Sequence, residues 1–202
     1  MTLNTVCLAL VLAVLVWSGI GPADRFTWWL EVAPVLIALP IVLATHPRFR
    51  FSSLIVVLLT IHAAILCIGG HWTYAEVPFG FWMAEWFGWS RNHYDRIGHF
   101  AQGFIPAILA REVLIRQSPL AGSRWLPFVV VSICLSVSAL YELIEWWTAV
   151  LTAEGATAFL GTQGDPWDSQ WDMFLALIGS STALLLLSGV HDRALARARG
   201  GT

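Results

Sequence analysis

Six long apolar runs within 202 residues set the first constraint on what this chain can fold into. A helix needs about 20 mostly apolar residues to cross the hydrocarbon core of a bilayer. The runs cover residues 3–20, 28–44, 53–70, 95–115, 126–150 and 171–190. Charged residues make up 12% of the chain, about half the ~25% of an ordinary soluble domain. Mean hydropathy is +0.70. The expected fold is all-α: a polytopic membrane helical bundle of about six transmembrane helices, forming a single integral membrane domain over 1–202. Pro34 and Pro40 are expected to bend the second helix.

Several function classes drop out. A net charge of −2 gives no electrostatic footprint for nucleic acid. Cys7, Cys67 and Cys134 each sit inside an apolar run without metal-type spacing, so they read as small buried hydrophobes. No Lys or Arg precedes the apolar run 3–16 and no clear cleavage site follows it, so a retained first span is expected rather than a signal peptide. There is no P-loop, no G-x-S-x-G elbow and no H-E-x-x-H. Ser123 and Ser169 lack an evident triad partner. No internal repeat of the kind that builds inverted-repeat transporters stands out.

Orientation follows from arginine, since all 11 basic residues are Arg. With the N-terminus in the cytoplasm, Arg48, Arg50, Arg111, Arg116, Arg124, Arg193, Arg197 and Arg199 fall on the inner side. Only Arg25, Arg91 and Arg96 fall outside. The excess inside predicts cytoplasmic N- and C-termini. The connection 151–170 carries no base, only Glu154, Asp165 and Asp168, which suits the outer side. Between the third and fourth spans, residues 71–94 hold Trp72, Phe79, Phe81, Trp82, Trp86, Phe87 and Trp89. Such a segment predicts an interfacial or re-entrant helix, either a plain membrane anchor or a lid that contacts lipid substrate.

Three polar pairs then share one depth. Asp95 and His99 open the fourth span, Glu142 and Glu145 lie near the end of the fifth, and Asp168 and Asp172 open the sixth. Spacings of three and four put each pair on one helix face. All six groups lie within about two turns of the outer surface, so three touching helices would converge on one pocket. Five carboxyls in one pocket repel, and a cation relieves that repulsion. Oxygen-rich donors with one imidazole suit Mg²⁺, Mn²⁺, Fe²⁺ or Zn²⁺. The candidate metal ligands are His99, Asp95, Glu142, Glu145, Asp168 and Asp172. The candidate catalytic groups are Asp95, His99, Glu142, Glu145 and Asp172. A carboxyl and His99 working as an acid–base pair without metal is the alternative. Gln102, Tyr141 and Trp167 are placed to line or close the pocket.

Structural roles compete with these. Asp95, Asp165 and Asp168 can cap helices, and Arg96 can bridge to Glu142 or Glu145. His46, His62, His71, His93 and His191 read as packing or interface residues, with His71 and His93 nearest the outer layer. Capping accounts for neither the two glutamates nor His99.

The segments Tyr94-Asp-Arg-Ile-Gly-His-Phe100, Tyr141-Glu-Leu-Ile-Glu-Trp146 and Gly164-Asp-Pro-Trp-Asp-Ser-Gln-Trp-Asp-Met173 resemble the bacterial inner-membrane YjdF family, a domain of unknown function. The resemblance spans residues 30–190 and implies a small polytopic inner-membrane protein. The order Asp-x-x-x-His-Phe, then Glu, then Asp before a Gly-containing helix is also similar to VanZ-like membrane proteins, with Asp95, His99, Glu145 and Asp172 at the matching positions. That similarity implies an outer-face site connected with envelope lipids. Trp146 and Trp147, and the extra acids Glu142 and Asp168, depart from the pattern.

Three classes of function accommodate these residues. One is a metal-dependent enzyme acting on a lipid-linked or amphipathic envelope substrate, with a metal-bound water as nucleophile. The others are a proton- or ion-coupled transporter and a non-catalytic membrane scaffold. Membrane lipid is the expected partner. The sequence leaves open whether the chain is an enzyme and how many copies associate.

Overall fold

A computed structural model describes residues 2–152 and 162–200, with side chains through 197. Glu154 and the side chain of Arg199 lie outside the described residues. Every regular element among them is helical: α1 (Leu3–Ser18), α2 (Arg25–Thr45), α3 (Ser53–Trp72), a 3-10 turn (Tyr74–Glu76), α4 (Pro78–Phe87), α5 (Tyr94–Gln117), α6 (Trp125–Thr152) and α7 (Asp168–Gly200). By length and composition four of these helices suffice to cross a membrane: α2, α3, α6 and, over Asp168–Arg197, α7. The chain is thus an all-helical membrane protein. At 16 residues α1 is shorter. Helix α5 is long enough at 24 residues but carries Asp95, Arg96, His99, Arg111, Glu112 and Arg116.

Local chemistry sets the helix ends. The Asp24 carboxylate accepts from the Thr27 amide at 2.6 Å, capping α2, and this bond holds its carboxyl below the ordinary range. Pro34 and Pro40 lie inside α2, which runs on through both. Pro78 opens α4, where its missing N–H has no helical partner to lose. Gly88 closes α4 in the left-handed conformation at φ 68°.

Helix α5 is the hub. It packs on α3, α6 and, most closely, α7. A Cβ at Gly103 of α5 would collide with the Ala176 backbone, and one at Gly179 of α7 would collide with the Phe100 carbonyl. Lipid tails are as apolar as the side chains they replace, so close backbone approach through small residues is what pairs helices there. The core around this contact holds Ile55, Leu58, Ala101, Ile105, Ala107, Ile108, Leu126, Val130, Cys134 and Ala183. A second cluster, Val11, Trp28, Val32, Val35, Ala63 and Cys67, joins α1 and α2 to α3.

At the end of the bundle holding the α5 C-terminus, a polar clamp ties three helices. The fully buried Glu112 accepts from the Ser52 amide at 2.9 Å and hydroxyl at 2.5 Å, and from Arg116 at 2.9 Å. It also accepts from His191 Nε2 at 3.0 Å. His191 Nδ1 takes a bond from Arg111 at 2.7 Å, and Arg111 reaches Asp192 at 2.8 Å. With Nδ1 accepting, the His191 proton sits on Nε2 and points at Glu112. The clamp explains why α7 continues past 190, where the apolar run stops: His191 and Leu195 are buried beyond that point. Both carboxylate oxygens of Glu112 are satisfied, which makes the clamp structural.

Gly103→Val is expected to weaken the fold by ~1–3 kcal/mol or more through overpacking against α7, whereas Gly189→Ala, inside α7 with open space at its Cβ, does not weaken it. Thermal unfolding in detergent separates the two. Glu112→Ala strands buried partners and is expected to cost about 3–5 kcal/mol by the same measurement; an unshifted midpoint would contradict the clamp.

Candidate functional site

At the other end of the bundle, the α5–α7 contact sets two helix starts side by side. Asp95 and His99 lie one turn apart on α5, Asp172 sits on the first turns of α7, and Glu142 and Glu145 descend from α6. All five, and Asp168, are less than a tenth exposed. His99 lies at the centre. Its Nε2 is 3.4 Å from Asp95 Oδ1 and 3.8 Å from Asp172 Oδ2, and its Nδ1 is 3.9 Å from Glu142 Oε1. Two trios result, Asp95–His99–Asp172 and His99–Glu142–Glu145, each with one donor atom per residue within 4.8 Å of the others.

Gln102 selects between the two faces of the imidazole. Its amide oxygen is 2.9 Å from His99 Nδ1, so Nδ1 carries the proton and donates it there. The other ring nitrogen, Nε2, faces Asp95 and Asp172. Separations of 3.4 and 3.8 Å are long for hydrogen bonds. They lie near the ~3.0–3.4 Å between neighbouring donors around an ion with ligand bonds of about 2.1 Å. Two buried carboxylate oxygens, Glu142 Oε1 and Asp172 Oδ1, have no hydrogen-bond partner among the described residues. Native structures leave few such atoms, since each forfeits its solvation.

Asp168, expected among the metal ligands, stands apart from both trios. Its Oδ1 takes bonds from both terminal nitrogens of Arg91 at 3.0 Å, so its counter-charge is already supplied. Arg96, for which a bridge to Glu142 or Glu145 is the structural alternative, reaches Asp165 Oδ2 at 3.0 Å instead. Arg91 approaches the same oxygen at 3.3 Å. Trp167 is exposed. His71 stacks on Trp17 and bonds the Ser18 carbonyl, outside the cluster. His93 sits at the start of α5, edge-on to Trp89. Burial, then the charges of Arg96 and Arg91, hold its imidazole below the usual range.

Glu31 is the residue that sequence reasoning missed. It is buried on α2, and its Oε2 accepts from the Tyr141 hydroxyl at 3.2 Å. The first three helices therefore bring an acid to this end of the bundle, although their sequence offers little polarity. The only signal was a lone Glu in an apolar run, one turn past the Trp28-Trp29 pair. The Tyr74 ring fills the space beside Gly69 of α3 and Gly98 of α5. Burial, followed by the neighbouring Glu31 and Tyr141, holds its phenol well above the ordinary range.

The approach to the cluster is built by Asn92. Its side chain donates to the Val77 carbonyl at 2.9 Å and accepts from the Tyr94 amide at 3.0 Å. It also fills the space a Cβ would need at Gly80 of α4. Its backbone exchanges two bonds with the Gln163 side chain, at 3.0 and 2.8 Å. One residue thus locks α4, the start of α5 and the loop before α7. Phe79, Phe81, Trp82, Trp86 and Phe87 of α4 stay exposed beside this joint.

Fold and site together define a helical membrane protein that buries an acid–imidazole cluster near one end of its bundle. The chain belongs to the family described as predicted membrane protein (DUF2238), which matches residues 3–193. It is 48% identical over 195 residues to the inner membrane protein YjdF of Escherichia coli (strain K12), covering 96% of this chain and 93% of that protein. No solved structure matches it.

An unpartnered buried carboxylate opposes folding in the absence of a cation. Asp172→Asn is therefore expected to stabilise the metal-free protein by roughly 1–2 kcal/mol, the usual sign when a functional group is neutralised. A lower unfolding midpoint after chelation would mark Asp172 as a packing residue instead.

Proposed function

We propose that this protein is a divalent-metal enzyme acting on a lipid-linked or amphipathic substrate at the outer face of the bacterial inner membrane. The orphaned oxygens of Glu142 and Asp172, two acids of the cluster centred on His99, carry the reading. The Nε2 trio of Asp95, His99 and Asp172 holds the ion. Gln102 fixes the tautomer from behind, as outer-shell carbonyls do for metal-bound histidines. Glu142 and Glu145, on the Nδ1 side, hold or move a proton at their carboxylates. A metal of this class activates water at neutral pH and polarises the substrate oxygen.

Six spans with cytoplasmic N- and C-termini put the cluster at the outer leaflet, which the arginine distribution supports. That the Escherichia coli relative is an inner membrane protein supports the inner membrane. The exposed rings of α4 suit a lipid-facing wall at the approach to the site. A proton- or ion-coupled transporter ranks lower. Ile105, Ile108, Val130 and Ala183 pack as a dry layer between the acid cluster and the Glu112 clamp, and the clamp has no free acceptor to pass an ion onward.

Protein purified in mild detergent and loaded with Mn²⁺, Fe²⁺ or Zn²⁺ is expected to hold stoichiometric metal by elemental analysis. His99→Ala and Asp172→Ala are expected to lose it, and Gln102→Leu to weaken affinity by about 10–100-fold. Absence of metal from protein that is folded by gel filtration would overturn the proposal.

A further inference from the structure

Two arginines meet on one oxygen at the mouth of the cluster. Arg91 and Arg96 both approach Asp165 Oδ2, at 3.3 and 3.0 Å. Arg91 is anchored a second time by Asp168. Among the described residues Arg96 pairs ionically with Asp165 alone, and its guanidinium lies 5.3 Å from the Trp171 ring centroid. The Nε atoms of both arginines are buried and make no hydrogen bond among the described residues, where each guanidinium keeps a donor without an acceptor. Arg96 follows Asp95 directly, and Trp171 precedes Asp172, so this cationic corner borders the Nε2 trio on both helices.

Asp165 reaches the corner through a constrained loop. Gln163 has φ 46° and Gly164 φ 84°. A non-glycine residue in the left-handed region persists only where its surroundings hold it. Here the two bonds to Asn92 do so. The loop is closed by Asp165 N donating to the Thr162 carbonyl at 2.8 Å and Trp167 N donating to Asp165 Oδ1 at 2.9 Å. The Asp165 side chain remains about a fifth exposed. A single carboxylate oxygen shared by two guanidinia is the arrangement an oxyanion adopts between a pair of arginines.

We infer that Arg96, backed by Arg91, is the recognition site for a phosphate-type oxyanion on the substrate, and that Asp165 occupies its place until the substrate arrives. This rests on the metal-centre reading, because a phosphate brought beside so many carboxylates needs a cation between them. It narrows the substrate class to an amphiphile with a phosphate or diphosphate group. The anion binds at the arginines, the reacting oxygen lies toward the His99 trio, and the apolar part runs along the exposed rings of α4.

The test uses the full chain in neutral detergent, loaded with Mn²⁺ and titrated calorimetrically with inorganic phosphate, dihexanoyl phosphatidate and dihexanoylglycerol. Phosphatidate is expected to bind and dihexanoylglycerol to bind at least about tenfold more weakly, the value of one charged hydrogen bond. Preference for phosphatidate over inorganic phosphate identifies a lipid headgroup as the source; equal affinity supports the anion site with free phosphate as its ligand. Arg96→Gln is expected to weaken phosphatidate about tenfold or more. Asp165→Asn, which removes the internal competitor, is expected to tighten it several-fold, a gain that misfolding does not produce. Unchanged or weaker binding in Asp165→Asn, or equal affinity for dihexanoylglycerol, overturns the inference. Metal content of the same samples separates the two failures: metal with no anion response overturns the Arg96 site alone, and absence of metal overturns the centre and the substrate class with it.

Discussion

The site depends on the contact between α5 and α7, where two backbones approach until glycine faces backbone. Gly103 lies over Ala176 and Gly179 over Phe100. Neither apolar residues nor lipid can supply a preference for this pairing through burial alone, since both environments are equally greasy. Close packing supplies it. The same contact fixes the relative height of the two helices, which brings Asp172 to within 3.8 Å of His99. Helix α6 then adds its glutamates from the side, and α2 adds Glu31 through Tyr141.

The two polar clusters of the bundle obey opposite rules. Around Glu112 every acceptor is filled and the geometry is tight, as expected of a buried charge retained for structure. Around His99 the separations are wide, and two carboxylate oxygens go without a partner among the described residues. A charge left unsatisfied in an apolar surrounding opposes folding. Its presence beside a fully satisfied counterpart in the same chain is what motivates the proposed metal centre.

Much of the fold was legible in the sequence. Five of the six apolar runs lie within the helices the structure contains, and the first, 3–20, overruns α1 by two residues, because span length and hydropathy are local properties. The extra length of α7 was not legible, since it follows from a buried His191–Glu112 pair separated by 79 positions. At the site, Asp95, His99, Glu142, Glu145 and Asp172 could be singled out from spacing and depth. The partnership of Arg91 with Asp168, that of Arg96 with Asp165, and the approach of Glu31 could not. Each joins residues more than 60 positions apart, and no local pattern encodes such a pairing.

The chain alone determined that this is a helical membrane protein, that its acids lie near helix ends, and that three helices carry them at matching depth. Those conclusions need only residue type, span length and helical period. Tertiary structure decided which acids share the imidazole and which are already neutralised by arginine. It also decided that the second helix contributes a carboxylate, and that Nε2 is the open face of His99. The physical reason is distance. Charge, donor direction and solvation act over a few ångströms, and helix packing alone sets which groups come that close.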